Sequence, residues 1–198
     1  MYLIVTRSFP PELGGMQNLM WGLSRELSKN FMIKVFADYF ENHKTFDQQA
    51  SFSIERIGGI KLLRKYRKAQ LINEFIKENK IEGIISDHWK SIELIKTSRK
   101  KYCLIHSKEI NHKKGSSINK RLVKILNNVE KVIANSEFTK NLAIDCGVDE
   151  NKIIVINPGI EPATELHKKS LNKVESLLKV KSPRLITVSR FDKRKNHE

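Results

Sequence analysis

Short apolar runs alternate with amphipathic stretches along almost the whole chain, and no other feature constrains the fold as strongly. Runs at residues 2–6, 32–37, 52–57, 83–86, 102–106, 131–134, 153–156 and 184–189 read as strands. Several are apolar at consecutive positions, not at every second one, as expected for strands buried on both faces of a parallel sheet. Between them, Met16, Leu19, Met20, Leu23 and Leu27 recur at helical spacing, and so do Leu62, Tyr66, Ala69, Ile72 and Ile76. Each set predicts an apolar stripe laid on the sheet. A further helix is expected over 117–127, and another begins behind the N-cap Ser136 and stops at Gly147. Strands alternating with helices give an α/β fold, a Rossmann-like doubly wound parallel sheet. Such sheets bind ligands outside the carboxyl ends of their strands. Gly14-Gly15, Asp87-His88 and His106 all fall at that edge.

A cluster of Pro and Gly at 157–162 marks a domain boundary. Residues 1–162 form the first domain. Residues 163–198 form a linker, with a Lys-rich helical segment at 165–180, and the first strand of a second, incomplete α/β domain. The basic loop behind that strand carries Arg190 and Lys195. Arginine grips phosphate oxygens in a bidentate way and lysine adds a point charge; the alternative is a frayed basic tail.

Gly14 and Gly15 sit between the first strand and an amphipathic helix. Glycines there let a backbone approach a ligand, and the helix offers free N–H groups and a positive dipole end to an anion such as a pyrophosphate. A plain turn is the alternative. His106 ends a strand beside Ser107, Lys108 and Glu109. It can bond a sugar hydroxyl or phosphate or move a proton, with Glu109 orienting it, or it can be a satisfied, partly buried histidine. His88, His106 and His112 lack ligand spacing, so no metal site is expected.

The formal net charge of +15 favours anionic partners or, equally, a solvated surface. Five cations, Lys61, Arg64, Lys65, Arg67 and Lys68, cluster on one helix, the last four flanking its stripe, and could meet an anionic membrane. Ten Lys or Arg against one acid at 96–124 reinforce the basic character. Specific nucleic-acid binding is disfavoured, because no aromatics interleave with the cations. Two cysteines without metal spacing, no leader-like start and no apolar run of about 18 residues point to a reduced, cytoplasmic protein, with peripheral attachment to the inner membrane face left open. A dinucleotide-binding module with Asp38 on the ribose is a second reading, weakened by the absence of G-x-G-x-x-G. A basic membrane-surface or nucleic-acid module is a third.

Taken in order, five segments resemble glycosyltransferase family 4, enzymes of GT-B fold. Pro10-Pro11-Glu12-Leu13-Gly14-Gly15 is similar to the family's glycine loop. His106-Ser107-Lys108-Glu109 is similar to its His-Gly-x-Glu segment, with Ser107 in place of glycine. The strand and capped helix from Val132 through Gly147, the stretch from Ile153 to Glu161, and the loop from Val188 to Asn196 resemble three more segments. The resemblance implies a retaining transfer of sugar from a nucleotide-sugar donor to a lipid-linked or saccharide acceptor. It implies that Gly14 and Gly15 lie under the donor diphosphate, that His106 is catalytic, and that Arg190 and Lys195 neutralise the leaving diphosphate. Ser136, Glu109 and His88 are further cleft candidates. No cofactor or metal is implied, since the nucleotide sugar is itself substrate. Family members carry a whole second domain with paired glutamates, so this chain is expected to be an N-terminal part, inactive alone.

Overall fold

The computed structural model describes residues 1–159, 168–177 and Thr187. The chain divides into two units, Met1–Ile160 and Glu161–Glu198. In the first, β1 (Tyr2–Val5), β2 (Ile33–Asp38), β3 (Ser53–Ile57), β4 (Gly83–Ser86), β5 (Lys100–Ile105), β6 (Lys131–Ala134) and β7 (Ile153–Val155) form one parallel sheet. Helices α1 (Gly15–Ser28), α2 (His43–Asp47), α3 (Lys61–Glu78), α4 (Trp89–Ile92), α5 (Ser107–Ile110), α6 (Ser117–Asn127) and α7 (Glu137–Cys146) connect the strands. Of the second unit, α8 (Lys168–Leu177) lies inside the segment expected to be helical. Arg190 and Lys195 lie outside the described residues, as does the strand expected over 184–189 apart from Thr187.

The sheet order is β3-β2-β1-β4-β5-β6-β7. The chain therefore winds outward from β1 to β3, crosses back and winds outward again from β4. That reversal opens a crevice between the carboxyl ends of β1 and β4, where sheets of this kind take ligands. The register pairs Val5 with Ser86, which brings the residues after each strand, Thr6 and Asp87, side by side.

Alternate residues of the central strands serve opposite faces. Leu3 and Val5 join Phe36, Ile72, Ile84, Trp89, Ile105 and Leu122 in the larger core, while Ile4 joins Phe9, Met20, Val35 and Leu104 on the other face. Leu3, Ile4 and Val5 are all fully buried, which is why β1 reads as an unbroken apolar run and not as an alternation.

Helix ends follow local chemistry. Ser136 Oγ accepts the Thr139 N–H at 3.2 Å, and α7 stops at Gly147, whose φ of 104° is left-handed and favours glycine. Helix α6 starts behind Ser116, whose Oγ accepts the Asn119 N–H at 3.3 Å. Three short helices, α2, α4 and α5, escape the sequence reading. The stripe on α3 also needs correction: Ala69 and Ile72 are buried, but Leu62 and Tyr66 are exposed. With 18 residues, α3 is about 27 Å long, whereas four-residue β4 is about 13 Å. Its first turns therefore overhang the sheet edge.

Candidate functional site

The site gathers at the carboxyl edge of β1, β4, β5 and β6, and its base is a buried polar network. Thr6 Oγ1 donates to Asp87 Oδ2 at 2.7 Å, and the Arg7 N–H reaches the same oxygen at 3.2 Å. Lys68 Nζ donates to the Thr6 carbonyl at 2.6 Å and pairs with Asp38, which Arg64 also meets at 3.4 Å. Burial raises the Asp87 pKa and lowers that of Lys68; in each case removal from water disfavours the charged form. The sequence places Asp87 at this edge without a role, and it misses Thr6 as a partner.

This network corrects two expectations. Lys68 is 4% exposed, so it cannot belong to a membrane-facing set, and half-buried Arg64 is turned to Asp38 and the Gly59 carbonyl. Lys68 lies four residues before Ile72, on the buried side of α3, and that spacing was the available signal. Asp38 is occupied by two cations, so it does not present a free carboxylate for a ribose, as the dinucleotide reading requires.

From this base the loop behind β1 is held at two further points. Phe9 is buried at 2% exposure against Trp21, with centroids 6.0 Å apart. Arg56 donates to the Pro10 carbonyl and grips Asp47 through Nη2 at 2.6 Å and Nε at 3.0 Å. Beyond these anchors the loop is exposed again at Leu13, Gly14 and Gly15. Gly14 has an extended backbone, and among the described residues a Cβ there would meet only the side-chain end of Gln17, while a Cβ on Gly15 would meet nothing within 4 Å. Internal packing therefore leaves open space at the start of α1.

His106 is not the end of β5 but the N-cap of α5, and its N–H donates to the Glu109 carboxylate. Its Nε2 is buried and has no hydrogen-bond partner among the described residues. His88 caps α4; its Nδ1 accepts the Lys90 N–H at 3.0 Å, so the ring proton sits on Nε2. Burial first, then Arg7 and Lys90, push its pKa down to about 3 and keep the ring neutral. Trp89, which the sequence reading passes over, is fully buried and donates Nε1–H to the Glu109 carbonyl at 3.1 Å. Ser136 lies at the same edge, its hydroxyl engaged in the α7 cap and with Asn135. Among the described residues, no group of three or more His, Cys, Asp or Glu is placed to hold a metal ion.

Burial raises the Glu109 pKa from 4.5 to about 7. Between those values the folded state holds a proton that the unfolded chain releases, so stability falls as pH rises through that window. Glu109→Gln keeps an acceptor for His106 and removes the charge. At pH 8 it is expected to be more stable than the parent by on the order of 1–2 kcal/mol, after discounting for partial exposure. Urea melts at pH 4 and pH 8 check this: the gap should close at low pH, and a pH-independent gap contradicts it.

Residues 13–164 match the model of a family described as Glycosyltransferase Family 4. No curated protein matches the sequence. Among solved structures, the chain is similar to Anabaena Alr3699/HepE in complex with UDP and glucose, at TM-score 0.67 and 17% identity over 90% of this chain and 50% of that one. It is similar to a glycosyltransferase from Rickettsia africae, at TM-score 0.66 and 19% identity over 92% and 50%. A sucrose-phosphate synthase from Thermosynechococcus elongatus follows the same pattern, at TM-score 0.60 and 14% identity over 80% and 48%. The chain thus spans about half the length of each of these structures.

Proposed function

The chain belongs to glycosyltransferase family 4, and from that premise we propose that its sheet edge forms the acceptor-side wall of a cleft that moves a sugar from a nucleotide-sugar donor to an acceptor. The observation that carries this reading is the convergence on one edge of the open glycine loop and His106, whose buried Nε2 has no partner among the described residues. In this reading Gly14, Gly15 and the first N–H groups of α1 take donor phosphate, as helix starts do. His106 faces the donor sugar as the catalytic group, and Glu109, Ser136 and His88 line the cleft. Arg190 and Lys195 neutralise the diphosphate as it leaves, where preorganised cations are most effective. The reaction needs neither a metal nor an organic cofactor. UDP in the Anabaena complexes supports a nucleoside diphosphate as the leaving group.

Titration of the chain with UDP-, GDP- and ADP-sugars, followed by amide NMR, tests this. Shifts at Gly14, Gly15 and His106 are expected, with no turnover by these 198 residues, since half of each neighbour's length has no counterpart here. Rapid transfer overturns the inactivity, and NAD binding without any response to nucleotide sugars overturns the whole reading.

The acceptor is proposed to arrive at an anionic membrane surface, with the protein attached peripherally on the cytoplasmic face. No helix among the described residues is long and apolar enough to cross a membrane. The overhanging start of α3 instead exposes Ile60 (69%), Leu62 (82%), Leu63 (58%) and Tyr66 (53%) beside exposed Lys61, Lys65 and Arg67. Apolar side chains among cations suit the headgroup boundary of an anionic bilayer. The double variant Leu62→Glu, Leu63→Glu is expected to bind phosphatidylglycerol vesicles at least about tenfold more weakly, because each leucine contributes roughly 1.5 kcal/mol or more when buried. Unchanged sedimentation with vesicles would count against the docking.

A further inference from the structure

A cavity of about 370 Å³ opens beneath the last two turns of α6, between them, the end of α4 and the start of β5. Lys101 in its wall stands near the amino end of β5, roughly 13 Å along the strand from Ile105 at the carboxyl edge. No lining residue takes part in the transfer reading. The charged lining is mostly cationic: Arg121, Lys124 and Lys101 meet one carboxylate, Glu93. That carboxylate is already committed. Arg121 Nε and Nη2 both reach its Oε1, at 2.9 and 2.6 Å, and its Oε2 is buried. Lys101 is half-buried, donates to the Ile95 carbonyl at 2.9 Å and has no carboxylate partner among the described residues. Burial lowers its pKa, as expected for a charge held away from water. Lys124, at the exposed rim, has no ion pair among the described residues either. The neighbouring acid, Glu130, is exposed and pairs at 3.0 Å with Lys100, which alternates to the other face of β5. Two cations are thus left over in a recess whose apolar walls are Ile92, Ile125 and Val129.

We propose that this cavity binds an amphiphilic organic anion, its carboxylate or phosphate head on Lys101 and Lys124 and its apolar body against Ile92, Ile125 and Val129. The volume falls in the range of small-molecule sites, roughly 300–1,000 Å³. Two ammonium groups act as point charges and suit either head. Lys101 is already partly removed from water, so an anion beside it gains attraction at little further desolvation cost. The cavity also reaches the sheet edge through one side chain. Arg121 extends from its wall to the Trp89 ring, 5.9 Å from the centroid, and Trp89 donates to the Glu109 carbonyl at 3.1 Å. An anion that draws on Arg121 therefore acts on the indole that ties α4 to α5. The cavity stands on its own lining and does not rest on the transfer reading.

The probes are octanoate and octyl phosphate, titrated into the full chain below their micelle concentrations. NMR follows the Ile92, Ile125 and Val129 methyls together with the Trp89 indole N–H. All four should shift along one saturable curve for at least one probe, and the tighter probe names the preferred head. Octanol, which keeps the body without the charge, should bind about tenfold more weakly or less. Lys124→Gln, at the exposed rim, should weaken the curve about threefold and Lys101→Gln about tenfold, with amide dispersion showing that each variant is folded. Octanol binding as tightly as the anions overturns the proposal, and so does a Lys124→Gln, Lys101→Gln double variant that titrates like the parent. Shifts confined to the Leu62 and Leu63 methyls overturn it as well, since they place the probe on the exposed start of α3. UDP titrated in parallel reports the donor reading at Gly15, so the two readings fail separately.

Discussion

Trp89→Ala is expected to lower the free energy of unfolding by about 4 kcal/mol, while Trp89→Phe costs about 1 kcal/mol. The indole is fully buried in the larger core. It also lies within cation–π range of Lys90 at 5.1 Å and Arg121 at 5.9 Å. Phenylalanine keeps most of that apolar contact and loses the hydrogen bond from Nε1 to the Glu109 carbonyl, whereas alanine also leaves a cavity. Urea midpoints at fixed pH measure the series, and equal costs for the two variants would contradict this account. Because the indole ties α4 to α5, the alanine variant should also let water reach Glu109, so its pKa should fall back from about 7 toward the ordinary carboxylate range. A side chain that only filled space far from the site would not move that titration.

The elements that the sequence reveals are those whose signals are local. Ser136 and Gly147 mark α7 because a cap side chain and a left-handed glycine act within one turn. The strands are visible because a sheet buried on both faces demands consecutive apolar residues, as at Leu3, Ile4 and Val5. Helices α4 and α5 have four residues each and show no period, so His106 reads as a strand end and not as the cap it is. The α3 stripe misleads for a geometric reason. Periodicity reports which side of a helix faces inward but not how far the sheet beneath it extends, so Leu62 and Tyr66 look like core and lie beyond the edge. The glycine loop was visible, but the groups that hold it were not. Arg56 pairs with Asp47, nine residues away, and reaches the Pro10 carbonyl only through tertiary folding. Likewise, nothing in the local sequence around Thr6 indicates that Asp87, 81 residues away, will accept its hydroxyl.

Lys68→Met is expected to cost about 3 kcal/mol, because removing one partner of a buried pair strands the other groups. Lys68 is 4% exposed and joins three parts of the edge: α3, the end of β2 through Asp38, and the end of β1 through the Thr6 carbonyl. Methionine fills nearly the same volume, so a cavity contributes little. The loss comes from Asp38, left with Arg64 at 3.4 Å, and from a Thr6 carbonyl that loses its donor. The cost stays near the lower end of the range because the Asp38 side chain is 23% exposed and water can reach it. Adding Asp38→Asn should therefore recover about half of the loss, since the unpaired charge disappears while the Thr6 carbonyl stays unmet. Chemical denaturation of the parent, both single variants and the double variant closes the cycle. A double variant that loses the sum of the two single costs would show that Lys68 and Asp38 act independently, and the buried pair would then not be what fixes the loop behind β1.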